Sequence, residues 1–161
     1  MTKADAAVQV GTIVESITIS APIGTVFAAL SQADIRARWS RLPGRDRSYQ
    51  LDFRTGGWEL RSSTFPNIGH DELLEVRTRF MEIVAPRLVV CTVELRLDGV
   101  LRTTSLVTWE LKDIDGATRV DYTEQYQVLI PTGDGTADHR ERKGATPMML
   151  RGFKIAVEQP A

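Results

Sequence analysis

Histidine and cysteine are scarce in this sequence, which limits the chemistry that it can perform. The 161 residues include only two histidines, His70 and His139, and one cysteine, Cys91. A single cysteine excludes an internal disulfide, and no HxxxH or CxxC spacing occurs, so we expect neither a metal site nor a bound cofactor. Cys91 falls in an apolar run typical of a strand, where a buried, unreactive thiol is expected.

Long apolar runs and net charge are also lacking. No apolar stretch approaches the roughly 18 residues of a membrane span, and the first residues, MTKADAAVQV, lack the apolar core of a signal peptide. The net charge is −1, which favours neither nucleic acid nor an anionic membrane as a partner. We predict a cytoplasmic protein, monomeric or homodimeric, with a flexible tail at residues 1–9 and one domain at residues 10–161.

The familiar signatures of catalysis are absent as well. There is no G-x-S-x-G nucleophile motif and no glycine-rich dinucleotide fingerprint. The paired glycines of RTGG, residues 54–57, are typical of a tight turn, because no lysine followed by serine or threonine completes a phosphate-binding loop. No enzyme class is identified by these patterns.

What the sequence does contain is the alternation of apolar and polar residues that is typical of strands. A strand at residues 10–20 precedes two short helices, at residues 21–30 and 31–40. Further strands are predicted at residues 49–53, 58–63, 72–84, 87–95, 101–111 and 119–130. Short turns between strands indicate an antiparallel sheet. We predict an α+β fold in which a curved sheet of about six to seven strands wraps around a C-terminal helix.

The C-terminal helix carries two signals of a late start. Thr146 is suited to cap a helix whose first position is Pro147. Residues 136–144 are expected to form an earlier helical turn, which Gly144 and Pro147 interrupt.

Two further predictions concern which side chains face inward. Arg36, Arg38 and Arg41 are expected to form a solvated face of the second short helix and the residues after it, because arginine is rarely buried. In the strand that follows RTGG, Trp58 and Leu60 are expected to face inward.

A carboxylate interrupts an otherwise apolar face of the strand RVDYTEQYQVLI, residues 119–130. Side chains on one face of a strand recur at every second residue. The face in question carries Val120, Tyr122, Glu124, Tyr126 and Val128. Three interpretations of Glu124 stay open: a buried residue held by a hydrogen-bonding partner, a residue that lines a hydrated cavity and orients a ligand, or a general acid or base.

Four segments resemble a known superfamily. ITISAPIGTVFAALSQADIRARW resembles the opening of SRPBCC, or START-like, proteins, which have a helix-grip fold. LDFRTGGWEL, FMEIVAPRLVV and SLVTWELKDIDGATRVDYTEQ resemble the branch named after the activator of the heat-shock protein 90 ATPase. The resemblance implies an internal cavity between sheet and C-terminal helix, often suited to apolar or aromatic small molecules. Members are described as lipid binders, polyketide cyclases, hydrolases or co-chaperone domains, so the fold leaves the function open.

The inward-facing aromatic and polar residues are the candidate ligand-binding residues. They are Trp39, Phe53, Trp58, Phe80, Glu82, Trp109, Tyr122, Glu124, Tyr126, Met149 and Phe153. We expect them to bind an apolar or aromatic small molecule, since such pockets are mostly apolar with a few placed polar groups. One alternative is an enzyme of the cyclase, hydrolase or lyase type with Glu124 and Tyr126 as catalytic residues. Another is a domain that activates a chaperone ATPase.

Overall fold

A seven-stranded antiparallel sheet and three helices make up most of the residues that the computed structural model describes, which are 7–67 and 69–159. In chain order they are β1 (Gln9–Ile19), α1 (Ile23–Ser31), α2 (Ala33–Trp39), β2 (Arg45–Asp52), β3 (Trp58–Asn67), β4 (His70–Val84), β5 (Leu88–Leu97), β6 (Val100–Ile114), β7 (Ala117–Val128) and α3 (Thr136–Glu158). The predicted α+β fold, with a curved sheet, two short helices after the first strand and a C-terminal helix, is confirmed. The first six residues of the predicted tail lie outside the described residues, and β1 already begins at Gln9.

The strands β2 to β7 are neighbours in chain order, and β1 pairs with β7 at one edge of the sheet. Its order is β1-β7-β6-β5-β4-β3-β2, with every neighbouring pair antiparallel. Asp98–Gly99 joins β5 to β6, and Asp115–Gly116 joins β6 to β7. All four residues have positive φ, between 49° and 88°, as a two-residue type I′ turn requires. Aspartate tolerates this conformation and glycine adopts it without strain, so the local sequence fixes two of the hairpins.

The C-terminal half of α3 packs into the concave face of the sheet. Leu150, Phe153 and Val157 are its buried apolar residues, at the spacing that places them on one side of a helix. The ring of Phe153 lies 5.0 Å from that of Trp39 and 5.4 Å from that of Trp109, in edge-to-face arrangements. Such aromatic contacts add to the free energy gained by burial alone.

The helix α3 is longer than the sequence predicts. It begins at Thr136 and continues through Gly144 and Pro147, so the predicted interruption is wrong. The proline costs one backbone hydrogen bond, and the Thr146 hydroxyl donates to the carbonyl of Arg142 at 3.2 Å instead of capping a new helix. Contacts of both halves of α3 with the rest of the protein offset that loss. Among the described residues no helix, α3 included, has the length and apolar composition needed to cross a bilayer.

The inner face of β3 is the opposite of the predicted one. Trp58 is 40% exposed, while Glu59 is 1% exposed. The prediction that Trp58 and Leu60 face inward is therefore wrong by one residue. The physical reason is a partner from another element, because Arg36 of α2 offers the Glu59 carboxylate a buried ion pair.

A change of register in β4 moves Glu82 off the inner face. Leu74, Val76, Thr78 and Phe80 are buried at every second position, as the sequence predicts. Between Phe80 and Glu82 the pairing with β5 shifts by one residue, and such a bulge reverses the faces beyond it. Glu82 is consequently exposed.

Candidate ligand-binding cavity

A cavity of about 620 Å³ lies between the N-terminal half of α3, the helix α2 and the inner faces of β3 to β7. Five of the eleven predicted ligand-binding residues line it: Trp39, Trp109, Tyr122, Glu124 and Met149. The rest of its apolar wall comes mainly from β4, β5 and β6. These residues are Val76, Val93, Leu95, Leu97 and Val107.

Three of the remaining candidates belong to the packed core. Phe80 and Phe153 are fully buried, and Phe53 lies between Phe27 and Phe80 with ring centroids 5.9 Å and 4.9 Å away. Phe53 and Phe80 pack edge to face with each other and Phe153 packs against Trp39 and Trp109, and none of the three phenylalanines lines the cavity. Their predicted placement in the cavity wall is wrong, because alternation along a strand reports burial and does not separate core from cavity.

Glu82 and Trp58 lie outside the cavity because of the strand faces described above. Glu82 is exposed, and its carboxylate is 3.4 Å from the Thr55 hydroxyl. Trp58 borders a shallow depression on the outer face of the sheet, beside Arg77 and Arg79 of β4. Neither residue is therefore in a position to contact a molecule in the cavity.

Tyr126 is buried but forms a separate cluster with Ile13 and Val128. Its ring lies over Gly11 of β1, where an added methyl group would be 2.5 Å from the Tyr126 Cζ. Its hydroxyl lies 2.6 Å from Nδ1 of His139 on α3. Burial raises the pKa of this phenol. The predicted place of Tyr126 in the cavity wall is wrong, since the missing side chain at Gly11 draws the ring toward the edge strand.

Glu124 lines the cavity and also has a cationic partner. It pairs with Ile13 of β1 and Val107 of β6, so it lies on an inner strand, and it is 5% exposed. Its Oε1 accepts hydrogen bonds from Nη2 of Arg142 at 2.5 Å and from Nε of the same residue at 3.1 Å. The structure confirms the first interpretation, a buried carboxylate held by hydrogen-bonding partners, and places Glu124 in the cavity wall, while its role in orienting a ligand stays a prediction.

Two hydroxyl groups complete the Glu124 site. Ser105 donates to Oε1 at 2.7 Å and Tyr122 donates to Oε2 at 3.2 Å. Burial, together with the negative charge of Glu124, raises the pKa of Tyr122 well above its usual range. Tyr122 is therefore a neutral hydrogen-bond donor at any physiological pH. Sequence reasoning missed Arg142 and Ser105, because Arg142 lies in the part of α3 that was expected to be broken.

A buried ion pair closes the far side of the cavity. Arg36 of α2 donates from Nε to Oε1 of Glu59 at 2.7 Å and from Nη2 to Oε2 at 3.0 Å, which is a bidentate pair. Thr78 donates to the same carboxylate at 3.2 Å. Burial opposes ionisation of Glu59, but the charge and hydrogen bonds of Arg36 outweigh it and lower the pKa of Glu59 to about 2. The predicted solvated face for Arg36 is wrong, because α2 turns this side chain toward the sheet.

A second arginine lies near the Glu59 carboxylate but is not hydrogen-bonded to it. Arg61 of β3 lines the cavity, and its Nε is 3.8 Å from Oε2 of Glu59, too far for a hydrogen bond. Its Nη1 donates to the carbonyl of Ser40 at 2.8 Å. Burial lowers the pKa of Arg61, and the nearby charge of Arg36 lowers it further. At Arg36 the charge and hydrogen bonds of Glu59 outweigh the effect of burial, so the pKa of Arg36 is raised. Glu59 is thus largely the partner of Arg36.

Cys91 lies in the cavity wall between the Glu124 site and the Arg36–Glu59 ion pair. It is 2% exposed, in agreement with the predicted burial. Burial raises the pKa of the thiol to about 12. The neutral thiol is a poor nucleophile and a poor metal ligand, so it contributes an apolar surface to the cavity.

In the described part of the chain, one group of side chains outside the cavity consists of residue types that can bind a metal ion. His70, Glu72 and Asp98 bring their ligand atoms within 4.8 Å of one another at the ends of two hairpins. His70 and Asp98 are exposed, and the Asp98 carboxylate already accepts a hydrogen bond from the backbone of Leu73 at 2.8 Å. Polar contacts between exposed side chains account for this arrangement, and the expected absence of a metal stays a prediction.

The fold and the cavity define a helix-grip protein of the SRPBCC, or START-like, class, as the sequence resemblance predicts. Residues 20–158 match the family described as Activator of Hsp90 ATPase homolog 1-like protein, and the chain belongs to this family. A comparison with curated proteins gives no significant match.

Solved structures with the same fold come from several bacteria. An uncharacterised protein from Rhizobium leguminosarum is 26% identical, with a TM-score of 0.81 over 95% of this chain and 97% of that one. A Rhizobium loti protein is 24% identical, with a TM-score of 0.75 over 93% and 99% of the two chains. An Arthrobacter aurescens protein is 15% identical, with a TM-score of 0.74 over 93% and 87%. These similarities concern the fold and assign no ligand.

Proposed function

We propose that the protein binds an apolar or aromatic small molecule in the cavity between α3 and the sheet. The observation that carries the proposal is a space of about 620 Å³ whose wall is mostly apolar. Ligand pockets in proteins occupy roughly 300–1,000 Å³ and combine apolar walls with a few oriented polar groups. Here Glu124 and Tyr122 supply such groups on one side, and Arg36 and Arg61 supply them on the other.

The alternative of an acid–base enzyme is less well supported. Its two proposed catalytic residues, Glu124 and Tyr126, do not face the same space, because only Glu124 lines the cavity. The two Glu124 oxygens already accept hydrogen bonds from Arg142, Ser105 and Tyr122. A general base needs an oxygen within reach of a substrate proton, so this geometry favours a positioning role.

The alternative of a chaperone activator rests on the name of the family. The cavity neither requires nor supports it, since a protein partner would dock on the surface. The expected cytoplasmic location and the monomeric or homodimeric state stay predictions.

Binding of Nile red, a neutral apolar dye that fluoresces when it leaves water, tests the proposal. We expect saturable binding by the wild type. Val93→Phe should weaken it about tenfold, because Val93 lines the cavity and the larger ring would occupy volume that the dye needs. Val14→Phe makes the same chemical change on an exposed face of β1 and should leave binding unaltered. Equal affinity of the wild type and Val93→Phe, or no saturable binding at all, would overturn the proposal.

A further inference from the structure

Buried charge is unbalanced on the β3 side of the cavity. We call Arg36, Glu59 and Arg61 together the arginine end. Two guanidinium groups here share a single carboxylate, so the group carries one excess positive charge. A buried charge without a counter-ion is costly, so buried charges in proteins are normally paired. The Arg61 side chain is 19% exposed, which reduces this cost.

The excess charge resides on Arg61. Arg36 uses two nitrogens on Glu59 and a third on the carbonyl of Leu30, at 3.0 Å, so its donors are well occupied. Arg61 reaches only the carbonyl of Ser40 with Nη1, and its buried Nε has no hydrogen-bond partner among the described residues. The lowered pKa of Arg61, caused first by its burial, agrees with this uneven sharing. Arg61 therefore has one donor, Nε, without an acceptor and a charge that Glu59 balances only in part.

The opposite side of the cavity has the reverse charge. There the lining includes two arginines, Arg102 and Arg142, and three carboxylates, those of Glu124, Asp138 and the exposed Glu141. These residues belong to or lie beside β6, β7 and α3, and the sheet order places β4 and β5 between them and β3. A negatively charged ligand group is therefore repelled from the α3 side and attracted to the arginine end.

We propose that the cavity binds an apolar or aromatic acid, whose carboxylate accepts hydrogen bonds from Arg61 and balances the excess charge of the arginine end. This inference rests on the proposed binding function and specifies the class of ligand. The apolar body of the ligand lies against Val76, Val93 and Trp109, which line the same space. A guanidinium group suits a carboxylate because its donors match the two oxygens.

A pair of ligands of nearly the same shape, one negatively charged and one neutral, tests the inference. Naphthalene carboxylate and naphthalene carboxamide have nearly the same shape, and each is measured by its displacement of Nile red at neutral pH. We expect the carboxylate to bind about tenfold more tightly, because hydrogen bonds to charged groups are stronger than neutral ones. In Arg61→Gln the two affinities should become equal. The variant keeps the neutral Arg36–Glu59 pair, so its Tm should stay within about 5 °C of the wild type.

A control variant separates the cavity from the surface. Arg38, Arg41, Arg47 and Arg61 also line an outer pocket of about 480 Å³, where an anion could bind from solvent. Arg47→Gln removes a charge from that pocket alone and should leave the preference for the carboxylate intact. Loss of the preference in Arg47→Gln but not in Arg61→Gln would place the anion outside the cavity and overturn the inference.

The remaining outcomes are equally decisive. If the wild type binds Nile red and the carboxamide but shows no preference for the carboxylate, the acid ligand is wrong and the binding function stands. If neither the dye nor the naphthalenes bind, the binding function fails and the inference fails with it. The comparison of the two ligands in the wild type needs no variant, so an absent preference for the carboxylate overturns the inference even if Arg61→Gln does not fold.

Discussion

Arg142 of α3 lies against Glu124 of β7, with Nη2 of the arginine 2.5 Å from Oε1 of the glutamate. The contact joins the helix to an inner strand at the edge of the cavity. The guanidinium also lies over the ring of Tyr126, 4.9 Å from its centroid, so this one arginine contacts both the ion pair and an aromatic ring. It holds the N-terminal half of α3 against the sheet, where that half covers the cavity.

The first prediction concerns this pair. Glu124→Gln should lower the free energy of unfolding by about 2 kcal/mol at neutral pH, since it leaves Arg142 without its carboxylate. The expected loss is smaller than for a fully buried pair because the Arg142 side chain is 21% exposed. Urea denaturation measures it, with Glu110→Gln on the exposed face of β6 as the matched control. Adding Arg142→Gln should recover part of the loss. Full stability of Glu124→Gln would show that the pair is not a structural contact.

The second prediction concerns the stability of the protein at acidic pH. The folded state lowers the pKa of Glu59 from its ordinary 4.5 to about 2, so the unfolded state binds the proton first as pH falls. Stability contributed by this carboxylate is therefore complete above pH 4.5 and is lost between there and pH 2, by up to about 3 kcal/mol. Glu59→Gln should be less stable at neutral pH, because it removes the partner of Arg36, yet its stability should change less over that window. Parallel pH profiles for the two proteins would contradict the assignment.

Glu124 shows what the sequence can predict. Alternation along one strand places this carboxylate on the inner face, and the two Asp-Gly hairpins are visible in the local sequence. Its partner is not visible, because Arg142 comes from a helix 18 residues later. Pairing across elements depends on how the helix packs, which residue spacing does not encode.

Trp58 and Arg36 show why part of the site could not be predicted. Strand alternation alone favours tryptophan inside and glutamate outside at the start of β3. The buried ion pair with Arg36 reverses that preference, because a bidentate partner offsets the cost of burying Glu59. The bulge after Phe80 also defeats simple alternation. One extra residue exchanges the two faces of β4, so Glu82 lies outside instead of inside.

The third prediction compares two glycines. Gly11→Ala should destabilise the protein by about 1–3 kcal/mol, because the new methyl group would overlap the Tyr126 ring. Gly24→Ala, inside α1, meets nothing within 4 Å and should instead stabilise by about 0.5–1 kcal/mol through helix propensity. Thermal or urea unfolding of both variants gives the two signs. If Gly11→Ala is as stable as the wild type, the Tyr126 ring does not lie over β1.

The last prediction concerns the tryptophans and tests the inner face of β3 directly. Trp58 is 40% exposed, whereas Trp109 is 4% exposed and lines the cavity. Acrylamide quenches the fluorescence of tryptophans that solvent can reach, so Trp58→Phe should remove the most readily quenched part of the emission and shift the remainder to shorter wavelength.

Trp109→Phe is the matched variant and should do the reverse, because it removes a buried tryptophan and leaves the exposed Trp58 and the half-buried Trp39 to emit. The two changes should also differ in stability. A surface substitution usually costs less than about 0.5 kcal/mol, while Trp109 packs against Trp39 and Phe153 with ring centroids 5.7 Å and 5.4 Å away and should cost more. If Trp58→Phe leaves quenching unchanged, Trp58 faces inward as the sequence alone suggests. Glu59 would then lie outside, and the arginine end of the cavity would lose the carboxylate on which its charge imbalance depends.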